Sequence, residues 1–347
     1  MKKSFIFGAA LACALGFQSC SDVDNPVPTS EPLVAEIKAG TDLAVLVDKY
    51  AVDGVLTLPA GAEVTLAEAL EASEPLTIVG DEAKPAKIIA KGGFVVADGL
   101  TLTNVEIDPT ELQTALITTP TGDLAEWITT EINLTNVTIK GLTKSLFVSA
   151  GKNYHYKNFV IDNSIIEFNE TAGLEFDFRK GGVAENFTIK NSTLYAVAAT
   201  GNSLYTSQSA QRGTEAPGVT LQTFTIENST LVNFAKTKNF FTHRQANQTW
   251  LGYTLKNSIF VNCGKSGQVV KGINQGQNGK NPVWNIDGNV FNFDGAEGLV
   301  DSSAEEATGD DDEPVKNTIA VVVDFADAAK GDFTQTVAKA GDPRWIK

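Results

Sequence analysis

The chain has little from which to build a disulfide framework or a metal centre: of its 347 residues, three are Cys and two are His. Cys13, Cys20 and Cys263 show no ligand spacing, and His155 and His243 lie far apart, so no metal site is signalled. Cations are also scarce. Lys and Arg number 27 against 42 Asp and Glu, and the net charge of −15 argues against a nucleic-acid partner held through its phosphates. Beyond the first 17 residues no apolar run is long enough for a membrane-spanning helix.

What is present is a repeated phrase. Phe159-Val-Ile-Asp-Asn163-Ser, Phe187-Thr-Ile-Lys-Asn191-Ser, Phe224-Thr-Ile-Glu-Asn228-Ser and Tyr253-Thr-Leu-Lys-Asn257-Ser each join an aromatic, an alternating strand and an Asn-Ser corner. Fainter copies end at Asn104, Asn136 and Gly288, so that seven corners lie 32, 27, 28, 37, 29 and 31 residues apart. Period-2 patterning rich in Ile, Val, Thr and Phe, with no sustained helical period between corners, predicts short strands. Such strands bury a face only by stacking coil on coil, which predicts an all-β, right-handed, single-stranded parallel β-helix. Asn tolerates the left-handed backbone of a tight corner, and Asn136, Asn163, Asn191, Asn228 and Asn257 are expected to form a side-chain ladder. A second apolar run follows each corner, as in Leu146-Phe147-Val148 and Phe240-Phe241, giving three strands per coil.

The ends read differently. Residues 1–19 have the charged start and short apolar core of a lipoprotein signal peptide, placing Cys20 as the lipidated first residue of the mature chain. Residues 20–32 are a polar, proline-bearing tether. The β-helix domain is expected over 33–347, with a cap and first coils at 33–110, central coils at 111–300, an acidic insertion at 301–316 and a C-terminal cap at 317–347. Within the first cap, Leu43, Leu46, Val47 and Tyr50 have helical spacing behind Thr41 or Asp42 as N-cap. Trp345 is expected to plug the far end. Cys263, in phase with Ile259 and Val261, reads as a small buried hydrophobe.

The lipoprotein signal, the Asn-Ser coils and the terminal Gly341-Asp342-Pro343-Arg344-Trp345 resemble uncharacterised pectin-lyase-like β-helix lipoproteins that Bacteroidetes encode beside polysaccharide-utilisation genes. The resemblance implies a cell-surface lipoprotein of the outer membrane, anchored by lipid, with a polysaccharide or oligosaccharide partner. It brings no catalytic motif, and fold alone does not grant an activity. The chain is expected to be monomeric and to need no cofactor. Ca²⁺ is conceivable only at the acidic run 305–313, which lacks the glycine-spaced alternation of a Ca²⁺ loop and reads better as a solvated insertion.

Chemistry is sought on and after the third strand of each coil, where Arg179, Arg212, His243, Arg244 and Lys271 form a basic column. Three functions stay open. In the first, a glycan is bound along a groove by Tyr154, Tyr156, Tyr205 and Trp250 stacking on sugar faces, with Asp177 and Arg212 beside them. In the second, a polysaccharide lyase uses Arg179, His243, Arg244 and Lys271 to neutralise a uronate and take its neighbouring proton. In the third, the chain is a structural or adhesive rod. A hydrolase would need paired carboxylates at a defined separation, and the column offers only Glu175, Asp177 and the distant Asp301.

Overall fold

The computed structural model describes residues 37–38, 40–169, 175–207, 215–243, 250–267, 269, 283–297, 315–316 and 318–347. The signal, Cys20 and the tether lie outside the described residues, as do Arg212, Arg244, Lys271 and the acidic run 305–313.

Every phrase becomes one coil of a parallel β-helix. Phe159, Phe187, Phe224 and Tyr253 are register partners on successive coils, and their rings stack inward with centroids 5.3, 6.1 and 5.1 Å apart. All seven corners are left-handed, with φ between 47° and 65° from Asn104 to Gly288. The third strands form a separate parallel sheet of seven, ending at Phe241–His243. At the start of the stack Leu43–Tyr50 is the expected helix, capped by the Asp42 carboxylate accepting from the Ala44 N–H at 3.0 Å, with Leu43 and Leu46 buried on the first coil.

The corner ladder is shared between two residues. Asn amides link only some coils: Asn136 donates to Asn104 at 2.8 Å and Asn228 to Asn191 at 3.5 Å, but Asn191 turns to Asp162. The continuous ladder belongs to the Ser that follows. The N–H groups of Val137, Ser164, Ser192 and Ser229 donate to the hydroxyls of Ser164, Ser192, Ser229 and Ser258 one coil on, at 3.0–3.2 Å. Each hydroxyl also donates to the carbonyl two residues before it, and all four Ser are fully buried. Asn supplies the backbone conformation and Ser satisfies the buried amide that the bend leaves over.

The C-terminal segment departs from the expected plug. Its first residues do extend the last coil: Ile319 donates to the Asn289 carbonyl and Val323 to the Asn292 amide oxygen, both at 2.8 Å. The chain then runs back along the outside of the stack as a strap. Gly341 reaches the Asn257 carbonyl, Asp342 the Thr230 and Thr193 hydroxyls, and Arg344 the amide oxygen of Asn163. Trp345 does not cap an end; its indole N–H donates to Thr193 at 2.8 Å on the flank of the rod. The reason lies underneath. In these coils the outward residues after the corner include a run of apolar side chains, and Phe333, Val323, Ala338 and Ala340 cover Tyr195, Val232, Ile259 and Val290.

Candidate functional site

The third-strand column does not assemble the expected constellation. His243 lies in register with Ser207 and Phe178, two residues beyond the run used to locate the strand, because the strand extends through it. Its ring therefore points inward, packed against Tyr205 and Phe224, with Ser207 Oγ 2.9 Å from Nδ1. Burial lowers its pKa to about 3, so at neutral pH it is an uncharged core residue out of reach of substrate. Arg179 is held by Asp177 through two parallel bonds, Nε to Oδ1 at 2.9 Å and Nη2 to Oδ2 at 2.7 Å, which raises its pKa and occupies the face that would clasp a uronate. Glu175, named among the carboxylates a hydrolase would need, is fully buried in register with Leu146 and Leu204, one residue before the strand begins.

The aromatic platform is also corrected. Tyr154, Tyr156 and Tyr205 are at most 1% exposed and Trp250 is 9% exposed, so none presents a ring face to a sugar. Tyr156 instead donates to Ser149 at 3.2 Å, and burial raises the pKa of all three phenols, which removes them as bases. The cause is a bulge. Counting back from Asn163, alternation puts Phe159 and Ile161 inward and the two tyrosines outward; the register shift between Tyr156 and Asn158 inserts Lys157 and reverses the phase.

The same reversal turns His155 outward, although alternation counted back from Asn163 would place it inward. Its Nδ1 lies 3.3 Å from the hydroxyl of Thr129 and its Nε2 2.9 Å from the carboxylate of Glu185, joining three successive coils. The signal available was the spacing: His155 and Glu185 are 30 residues apart, close to one coil. Cys263, as expected, is buried, its thiol pushed up to about 12 by burial.

The concave polar site lies on another face, the outward side of the strands that follow each corner. There two side chains per coil point out. Through the first coils these are Glu63 and Thr65, Lys87 and Ile89, Glu106 and Asp108, Thr138 and Lys140. Lys87, Glu106, Ile107, Asp108, Thr110, Thr138 and Lys140 line a cleft of about 320 Å³. Lys87 stands 3.8 Å from Glu63 and 3.6 Å from Asp108. Partial burial pushes the Asp108 carboxyl up, but hydrogen bonds from the Thr110 hydroxyl and N–H, together with Lys87, outweigh it and hold the group below its ordinary range. Lys140 is exposed and has no ion pair among the described residues. The cleft thus offers two ammonium groups, two carboxylates and two hydroxyls within one concavity, and no aromatic ring.

A family model described as a domain of unknown function, DUF4957, matches residues 62–197, which is less than half of the chain and includes every residue of the cleft. No curated protein matches the chain. Among solved structures two chains match, and one of them is a PL6 family alginate lyase, AlyGC, at a TM-score of 0.47 and 18% identity. That alignment covers 74% of this chain and 36% of the lyase, so the chain spans just over a third of the length of that neighbour.

Proposed function

We propose that this protein binds an acidic glycan in the cleft between Lys87 and Lys140, as a lipid-anchored accessory protein of polysaccharide utilisation on the outer membrane. The observation that carries the reading is the cleft itself: a concavity with cations placed singly beside carboxylates and hydroxyls, in a chain whose overall charge is −15. A uronate or a comparable sugar acid would receive charge-assisted hydrogen bonds from Lys87 and Lys140. Glu106 and Asp108, as acceptors only, would take the donor hydrogens of neighbouring sugar hydroxyls. Specificity then comes from polar contacts rather than ring stacking. The anchoring half of the reading is supported by the sequence of residues 1–32, with lipid at Cys20.

Binding is favoured over elimination because the described members of the lyase constellation are otherwise engaged, His243 in the core and Arg179 on Asp177. Titration calorimetry with oligogalacturonates and oligomannuronates, against neutral oligosaccharides of equal length, tests it. Uronates should bind, neutral sugars should not, and Lys140→Ala should weaken binding by about tenfold, the worth of one charge-assisted contact. Equal affinity for neutral and acidic sugars, or indifference to Lys140→Ala, would sink the proposal. Growth of the ultraviolet absorbance of unsaturated uronides would show elimination and revive the lyase.

A further inference from the structure

The cleft and the strap occupy one continuous face. The outward row that begins Glu63, Lys87, Glu106, Thr138 continues through Ile165, Thr193, Thr230, Ile259 and Val290, each the register partner of the last. Four coils of this row are open. From the fifth onward the strap lies on it: Arg344 donates to Asn163 Oδ1 and to the Asn191 carbonyl, both at 3.0 Å, and Trp345 packs in the cluster that contains Ile165. Beyond them Asp342, 1% exposed, accepts from the Thr193 hydroxyl at 2.7 Å and from Arg344 Nε at 2.9 Å. At the other end the row stops with the first coil, where Thr65 donates to the Thr41 carbonyl and the capping helix begins.

We infer that the strap sets the length of the bound glycan: the site takes an oligosaccharide of about four sugar units lying along the stack, one unit per coil, and ends where Arg344 and Trp345 dock. This rests on the glycan reading of the cleft and adds its footprint. Successive coils are about 4.8 Å apart, close to the extent of one pyranose ring along an extended chain, so each ring meets one outward pair of side chains. The cleft lining covers the middle of this track, from Lys87 to Lys140. The strap is not a lid that a sugar displaces. Its latch is a buried carboxylate satisfied by Thr193 and Arg344, with apolar side chains packed on both sides of it.

The test is a length series. Affinities of the full chain for oligogalacturonates and oligomannuronates from dimer to octamer are measured by titration calorimetry. Affinity should climb by about an order of magnitude or more from dimer to tetramer and then stay level to the octamer. A double variant, Arg344→Ala with Trp345→Ala, should raise the octamer-to-tetramer affinity ratio by opening the next coils. Wild-type affinity that keeps climbing through the octamer would overturn the inference while leaving the cleft reading intact. Silence at every length would remove the cleft reading and this inference together.

Discussion

Two halves of one face of this rod have opposite character. In coils before Asn163 the outward residues after the corner are, apart from Ile89, charged or hydroxylic, as in Glu106-Ile107-Asp108 and Thr138-Ile139-Lys140, and the face is open. In coils after Asn163 they include Ile165, Tyr195, Val232, Ile259, Val261 and Val290, and the C-terminal strap covers them. The backbone is the same in both halves, so it is side-chain chemistry that decides whether a strand is buried on one face or two. Covering an apolar row removes it from water, whereas an uncovered polar row stays available to a ligand.

The sharpest way to break this contrast is to remove the cover's anchor. Phe333 is fully buried against Tyr195, Phe325 and Trp345, so Phe333→Ala should cost about 3–5 kcal/mol in urea denaturation. A cost near zero would mean that the strap is not part of the folded core. A paired comparison within one row comes next. Thr193 donates to Asp342 and accepts from the Trp345 indole, and Thr193→Val should cost about 1–3 kcal/mol by leaving those groups short of a partner. Thr138, two coils earlier in the same row, lies in the open half, and Thr138→Val should stay within about 0.5 kcal/mol. Equal costs would erase the distinction.

Acid titration should then separate the halves by sign. Burial raises the Asp342 carboxyl, with Arg344 and Thr193 offsetting part of the effect. Between its unfolded and folded pKa the native state holds more protons, so its contribution falls as pH rises through that window, which lies above the ordinary carboxylate value. Asp108 is lowered, so its contribution is present above its ordinary range and is lost as pH falls through the folded value. Asp342→Asn and Asp108→Asn should therefore tilt the stability–pH curve in opposite directions, and a common tilt would contradict the assigned environments. The smallest effect on stability is expected at Lys140. Lys140→Ala should move the unfolding midpoint negligibly, by less than about 0.5 kcal/mol, while weakening uronate binding.

Much of the scaffold was legible in the chain. The Asn corners, the inward aromatic of each phrase, the third strands through Phe241 and the helix behind Asp42 all follow from local rules of backbone and alternation. The strap was not read, yet its signal was present: Ile165-Ile166, Ile259-Phe260-Val261 and Val290-Phe291 are unbroken apolar runs after the corner, whereas Glu106-Ile107-Asp108 and Thr138-Ile139-Lys140 alternate. Unbroken runs mark strands covered on both faces. The candidate site was less legible, for two specific reasons. One inserted residue at Lys157 reversed the phase of Tyr154, His155 and Tyr156. The strand that carries His243 ran two residues past its apolar start. Phase counted from a corner fails at a bulge, and only pairing with the neighbouring coil reveals one. The cleft escaped notice because it lies on the coils with the faintest copies of the phrase.

The central claim, that the open half of this face and not the third-strand column holds the glycan, is tested most directly by lysine footprinting. The chain is acetylated with and without an excess of oligogalacturonate or oligomannuronate, and each Lys is read by mass spectrometry. Lys87 and Lys140 flank the cleft, whereas Lys152 and Lys180 follow the third strands. The account predicts that Lys87 and Lys140 are protected and that Lys152 and Lys180 react unchanged; protection of Lys152 and Lys180 with Lys87 and Lys140 unaffected would contradict it.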